Sequence, residues 1–261
     1  MIGRLLDTAA EVARLAGEIQ RRARAEGFGV AAKGDADIVT AVDGACERAI
    51  VEALRARFPE HGIVAEEGTA LAPDAGYVWI VDPLDGTKNF AHGSPRCGVS
   101  VAVSYAGEVI AGAVYAPFTD ELFTAVPGMG ARCNGALIRV STVADPRGAM
   151  VASALTYAGR EADGAQLARL TRVFREVQAL RSLGCAALDL ADVARGRLDA
   201  YFEPGLKPWD TAAGALLVRE AGGAVARFDG REHRPDAPDL LASNGLLHAT
   251  LGALMRGGSS A

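Results

Sequence analysis

The chain has 261 residues, 50% of them hydrophobic and 23% charged, with 27 Lys and Arg against 32 Asp and Glu for a formal net charge of -5. That is enough apolar material for one sizeable core or two fused halves, so intrinsic disorder is not the default, and the mild acidity gives no field for gathering nucleic acid. No apolar run reaches bilayer length, Asp7 and Glu11 sit where a secretory leader would be apolar, and Cys46, Cys97, Cys133 and Cys185 lack CxxC spacing, so the expectation is a cytoplasmic chain with buried free thiols.

Residues 3–26 place Leu5, Leu6, Ala9, Val12, Ala13, Ala16 and Ile19 at helical spacing, with Arg4, Asp7, Glu11, Arg14, Glu18 and Arg21 on the other side, which predicts an amphipathic helix. A second helix is predicted from Val42 or Asp43 through Cys46, Ile50 and Leu54 to Phe58, where Pro59 ends it. The polar, glycine-marked residues 33–40 between them predict a turn or short hairpin. Strands are predicted at 62–65, running into Glu66-Glu67, and at 77–81, running into Asp82. Residues 97–105 and 109–115 read as a hairpin about Ala106-Gly107-Glu108, 121–125 as a further strand and 127–130 as a turn. The second half offers a strand at 150–154, helices at 164–176 and 186–195, a strand at 198–202, a helix at 211–221 stopped by Gly222-Gly223, a strand at 240–243, a helix at 246–255 and a fraying tail at 257–261. Helices and strands mix in blocks without strict alternation, which favours layered α/β packing over a barrel.

Carboxylates placed where strands end are natural site candidates, because the strand fixes the backbone while the side chain emerges at its rim. Asp82, Asp85 and Thr87 lie within six residues of such an end. Pro83 keeps Asp82 out of the helical region, and Gly86 permits a tight turn and close approach of an anion to the backbone. Two carboxylates that close repel unless a cation lies between them, and an oxygen-only set suits Mg²⁺ or Mn²⁺ better than Zn²⁺. Taken singly, each feature has a plain reading: Asp-Pro-x-Asp-Gly as a solvated turn, Asp43 and Asp210 as helix caps, Glu66-Glu67 as a solvated edge. Their coincidence is harder to accept that way. His61, His92, His233 and His248 form no ligand pattern and suit loop or satisfied boundary positions, with His92 near enough in sequence to line a rim.

The stretch Trp79-Ile80-Val81-Asp82-Pro83-Leu84-Asp85-Gly86-Thr87-Lys88-Asn89-Phe90 resembles the first signature of the inositol monophosphatase family, whose relatives include fructose-bisphosphatases and nucleotide-sulfate pathway phosphatases. Trp209-Asp210-Thr211-Ala212-Ala213-Gly214, followed by Glu220-Ala221-Gly222-Gly223, resembles its carboxy-terminal signature. Asp37-Ile38-Val39-Thr40 with Asp43, and the Glu66-Glu67 pair, fall where that family places its remaining acids.

The resemblance covers nearly the whole chain and implies an α+β fold, a layered αβαβα sandwich. Its first half, 1–145, would carry the first signature, and its second, 146–256, would carry Asp210. It further implies two Mg²⁺, with a weaker third near Glu66 and Mn²⁺ as a substitute. Glu66, Asp82 and the Leu84 carbonyl would hold the first metal, and Asp82, Asp85 and Asp210 the second. Thr87 would orient the attacking water with Asp43 behind it, while the amides of Gly86 and Thr87 take phosphate oxygens.

Glu203 and Ala186 resemble residues of the family's polyol pocket, although Cys185 stands where a small hydroxyl residue is expected, and a lysine near Lys33 can face the site. The implied activity is hydrolysis of a small phosphorylated metabolite, inositol 1-phosphate first. Histidinol phosphate, fructose 1,6-bisphosphate and 3'-phosphoadenosine 5'-phosphate are the rival substrates. Lithium inhibition and a homodimer are further implications, with no membrane and no direct nucleic-acid partner. A role as a regulatory protein associated with RNA polymerase is the alternative of another class.

Overall fold

The computed structural model describes residues 1–32, 38–72, 76–154 and 164–257. The expectations for Lys33 and Asp37, and for the tail beyond 257, fall outside the described residues.

Helices α1 (Ile2–Glu26) and α2 (Ala41–Arg57) flank a hairpin of β1 (Val30–Ala32) and β2 (Ile38–Thr40). Then come β3 (Gly62–Ala65), β4 (Ala70–Leu71), β5 (Tyr77–Asp85), α3 (Thr87–Ala91), β6 (Gly98–Tyr105), β7 (Glu108–Ala116), β8 (Glu121–Ala125), β9 (Ala131–Cys133) and β10 (Ala136–Leu137). Apart from α3, these form a sheet in the order β10-β9-β8-β7-β6-β5-β3-β4, antiparallel except for β3 beside β5. The rest comprises β11 (Met150–Ser153), α4 (Gly164–Glu176), β12 (Ala179–Arg181), α5 (Ala186–Ala194), β13 (Ala200–Pro204), α6 (Pro208–Glu220), β14 (Ala224–Ala226), β15 (Asp239–Ser243) and α7 (His248–Met255). Its sheet runs β12-β11-β13-β15-β14, with β11 parallel to both neighbours.

Strand periodicity sorts the side chains into layers. On β5, Trp79 and Val81 join Leu5, Val12, Ile50 and Leu54 of α1 and α2, whereas Ile80 faces the other way, into a core shared with α5 and α6. On β13, Tyr201 faces that middle core while Ala200 and Phe202 pack against Val173 of α4 and Leu251 and Leu254 of α7. The order is therefore helix, sheet, helix, sheet, helix, the αβαβα sandwich. Every residue of α5 is buried, as befits a helix held between two sheets, and Gly214 of α6 lets it approach: a Cβ there would lie 2.6 Å from the Leu190 side chain.

Two expectations change. The strand predicted at 77–81 continues to Asp85, so the first signature is extended chain rather than a corner after a strand. Strands β4, β9, β10, β12 and β14 have two or three residues each, too few for alternation to announce them.

Candidate active site

The extension of β5 is irregular. Its partner β6 pairs Asp82 with Ser100 and Asp85 with Gly98, so three steps on one strand oppose two on the other. This bulge releases Pro83 and Leu84 from the ladder, and bulges commonly re-aim side chains beside functional sites. The freed groups find other neighbours: the Pro83 carbonyl accepts from Gln20 Nε2 at 3.0 Å, the Leu84 amide donates to Asp82 Oδ1 at 3.0 Å, and the Leu84 carbonyl lies 3.1 Å from Thr87 Oγ1. Gly86 then turns with φ 85°, and a Cβ there would meet the carbonyl oxygens of Arg96 and Gly184 at 3.0 and 3.1 Å. Packing against its own chain, as well as the turn, therefore demands glycine.

A cleft of about 240 Å³ opens over this segment, lined by Glu66, Asp82, Leu84, Asp85, Gly86 and Thr87 from one half of the chain and by Ala186, Glu203 and Asp210 from the other. Among the expected site residues only Asp43 stands behind the lining. Asp82 and Asp85 are buried. Burial pushes the Asp82 carboxyl well above its ordinary range, and the neighbouring charges of Glu66, Asp85 and Asp210 and a hydrogen bond with Glu66 push it further. Asp210 is raised in the same way, by burial and then by Asp85, with the Lys207 amide opposing at 2.7 Å. Asp85 is raised by burial against the pull of the Ala187 amide, 2.6 Å away, and of the Cys185 thiol.

Asp43 serves two purposes. As the third residue of α2 it completes a capping box, its Oδ2 accepting from the Thr40 amide at 2.8 Å and hydroxyl at 2.5 Å. Its Oδ1 accepts from Thr87 Oγ1 at 2.9 Å. The helix-cap reading therefore holds, and the same carboxylate also reaches Thr87 of the first signature. One turn on, Glu47 accepts from the amides of Glu67 and Thr69 and so fixes the loop that carries Glu66. The Asp43 and Glu47 spacing of four places both on one helix face, a signal available in the sequence.

From the second half, Glu203 projects from β13 with Oε2 accepting from the Tyr201 hydroxyl at 2.6 Å, and burial pushes its carboxyl up to about 7. Ala186 opens α5, and Cys185 before it gives its thiol to Asp85 Oδ2 at 3.2 Å, so this cysteine belongs to the site as well as the core. Asn89, which the sequence reading passed over, donates to the carbonyls of Arg96 and Leu183 at 2.8 and 2.7 Å and ties α3 to the 183–185 loop. His92 is exposed and outside the lining. All four cysteines are buried and free.

The donor set fits Mg²⁺ on chemical grounds, being all oxygen with charges that mutually resist ionisation, although among the described residues no three His, Cys, Asp or Glu stand close enough together to hold an ion as they are. Residues 3–258 match the model of the inositol monophosphatase family. The chain belongs to the inositol monophosphatase family. A *Vibrio cholerae* relative named Nus factor SuhB is 42% identical over 243 residues, covering 92% of this chain and 91% of that one. The *Bartonella henselae* extragenic suppressor protein suhB superposes with a TM-score of 0.93 at 36% identity, covering 98% and 99% of the two chains. The inositol monophosphatase of *Anabaena* (*Nostoc*) sp. PCC 7120 does so at 0.87 and 34%, covering 99% and 97%. The inositol monophosphatase resemblance seen in the two signatures thus holds across the fold. No described helix is long and apolar enough to cross a membrane.

Proposed function

We propose that this chain is a Mg²⁺-dependent phosphatase of small phosphate monoesters, with inositol 1-phosphate first among its substrates. The observation that carries the reading is one cleft in which Glu66, Asp82, Asp85 and Asp210 meet beside a threonine hydroxyl already bonded to Asp43. Glu66, Asp82 and the Leu84 carbonyl would hold one cation and Asp82, Asp85 and Asp210 another, with Glu66 near a weaker third and Mn²⁺ able to substitute. When bound, the cations offset the charge with which a phosphate monoester repels an approaching oxygen.

The chain's own groups do the rest. Thr87 gives its hydrogen to Asp43, so its lone pairs can accept from the attacking water, and Asp43 is the route by which the proton leaves. The amides of Gly86 and Thr87 would take phosphate oxygens. Glu203, steadied by Tyr201, would accept a substrate hydroxyl, and Ala186 would leave room for the ring. The two halves, 1–145 and 146–256, would act as one unit through this cleft, in a cytoplasmic homodimer.

Phosphate release from inositol 1-phosphate, histidinol phosphate, fructose 1,6-bisphosphate and 3'-phosphoadenosine 5'-phosphate, with Mg²⁺ and with EDTA, tests the reading. An EDTA-sensitive preference supports it and names the substrate, and turnover undiminished in EDTA overturns it. Li⁺ added to the Mg²⁺ assay should inhibit. A second reading, regulation through RNA polymerase, is favoured by the relatives named Nus factor SuhB. Co-elution with purified RNA polymerase would support it, and independence from Asp82 would separate it from catalysis.

A further inference from the structure

Helix α1 buries Leu5, Ala9, Val12, Ala13, Ala16 and Gly17 along one stripe, and the next buried member of that stripe is Gln20, fully enclosed. A glutamine in an apolar stripe requires a reason, because an enclosed amide without partners is costly. One half of this amide has a partner: Nε2 donates to the Pro83 carbonyl, 63 residues away, at 3.0 Å. The orientation is chemically forced, since a carbonyl can only accept and only the nitrogen end can donate. Oε1 has no partner among the described residues. Among the described residues the side chain thus makes a single hydrogen bond.

That bond falls inside the β5 bulge, where neither neighbouring strand reaches Pro83 or Leu84. Proline has no amide hydrogen, so the Pro83 carbonyl is the only backbone group of that residue on which a partner can act. Within the bulge the two successive carbonyls meet different neighbours, Gln20 of α1 and Thr87 at the cleft. Drawing Pro83 O toward α1 leaves Leu84 O facing the cleft, where Thr87 Oγ1 meets it.

We infer that Gln20 is a positioning residue for the metal site. From outside the cleft it fixes the Pro83–Leu84 peptide plane, and through it the direction in which the adjoining Leu84 carbonyl is presented as a cation ligand. This rests on the reading of the cleft as a Mg²⁺ site.

The test is Mn²⁺ binding, followed by the loss of the free-ion EPR signal, in full-length wild type, Gln20→Met and Gln20→Leu. Both replacements are apolar and suit the stripe, and both remove the unpaired Oε1 along with the donor, so the melting temperature should stay within a few degrees of wild type. Mn²⁺ affinity should fall roughly tenfold. Turnover should recover at saturating Mg²⁺, a rise in the metal requirement that mere loss of folded protein does not produce. Folded variants that bind Mn²⁺ as tightly as wild type overturn the inference while leaving the metal reading intact. Wild type that fails to bind Mn²⁺ overturns both.

Discussion

Two acidic clusters meet at α5, and they differ in what accompanies the buried charge. In one, Asp189 and Asp192 of α5 are both gripped by Arg96, Asp192 at 2.8 Å, and Arg197 joins Asp192 to Glu121, which also pairs with Arg195. Three acids face three arginines: Glu121 is held below its ordinary range by Arg197, while Asp189 is pushed up to about 7 by burial, with Arg96 opposing. In the other, Glu66, Asp82, Asp85 and Asp210 surround one cleft, and Asp82 and Asp210 are raised well above theirs. Buried carboxylates are tolerated where cations of the chain accompany them. Where burial and other carboxylates dominate instead, as at Asp82 and Asp210, the cleft is suited to take positive charge from something it binds, and that contrast separates a structural ion network from a site.

The largest test of the contrast is Asp82→Asn, which should cut phosphate release by on the order of 10³-fold. Without metal, the same variant should melt higher than wild type, because it removes a repelling charge. Near-normal turnover by folded, Mg²⁺-supplied Asp82→Asn protein would contradict the assignment. In the paired network the sign reverses: Arg96→Met leaves Asp189 and Asp192 enclosed with an arginine lost, and should cost about 3–5 kcal/mol in urea unfolding. A loss below about 1 kcal/mol would show that the network is screened surface charge.

Much of this contrast was legible in the sequence for one cluster and little for the other. Asp82, Asp85 and Asp210 sit in two long signatures with proline, glycine and tryptophan at fixed offsets, so the family, and the acids that gather in the cleft, could be named before the fold was seen. Arg96, Asp189 and Asp192 carry no such local pattern, and their pairing is made by packing α5 against the segment before β6. Gln20 was missed because the helical pattern was read from its apolar members alone. The bulge was missed because Asp-Pro-Leu-Asp-Gly reads as a turn, and only a neighbouring strand can hold such a segment extended.

Metal itself should sharpen the difference. Mg²⁺ at about 100 times its dissociation constant should add about 2.7 kcal/mol to wild-type stability, reversed by EDTA. Asp82→Asn should gain far less, whereas Arg96→Met, with its cleft intact, should gain as much as wild type. Equal gains in all three would place the cation elsewhere.

His233 represents a third way of enclosing a titratable group, by keeping it neutral. It lies in a loop but is 2% exposed, and neither ring nitrogen has a partner among the described residues, so it is neither solvated nor satisfied as the sequence suggested. Burial, then the nearby charge of Arg219, with a smaller push from Arg227 and Asp236 opposing, lowers it to about 4. Above pH 6.5 folded and unfolded chains are both neutral at this position, so it costs nothing there. As the pH falls through 6.5 the unfolded chain takes up a proton that the folded chain refuses. Stability should drop by about 1 kcal/mol at pH 5.5 and about 3 kcal/mol at pH 4. Urea unfolding of His233→Leu beside wild type isolates this contribution from the carboxylates, which both proteins share. The variant's acid limb should be flatter by those amounts, and parallel curves would mean that the ring reaches a hydrogen-bond acceptor or solvent in the folded state.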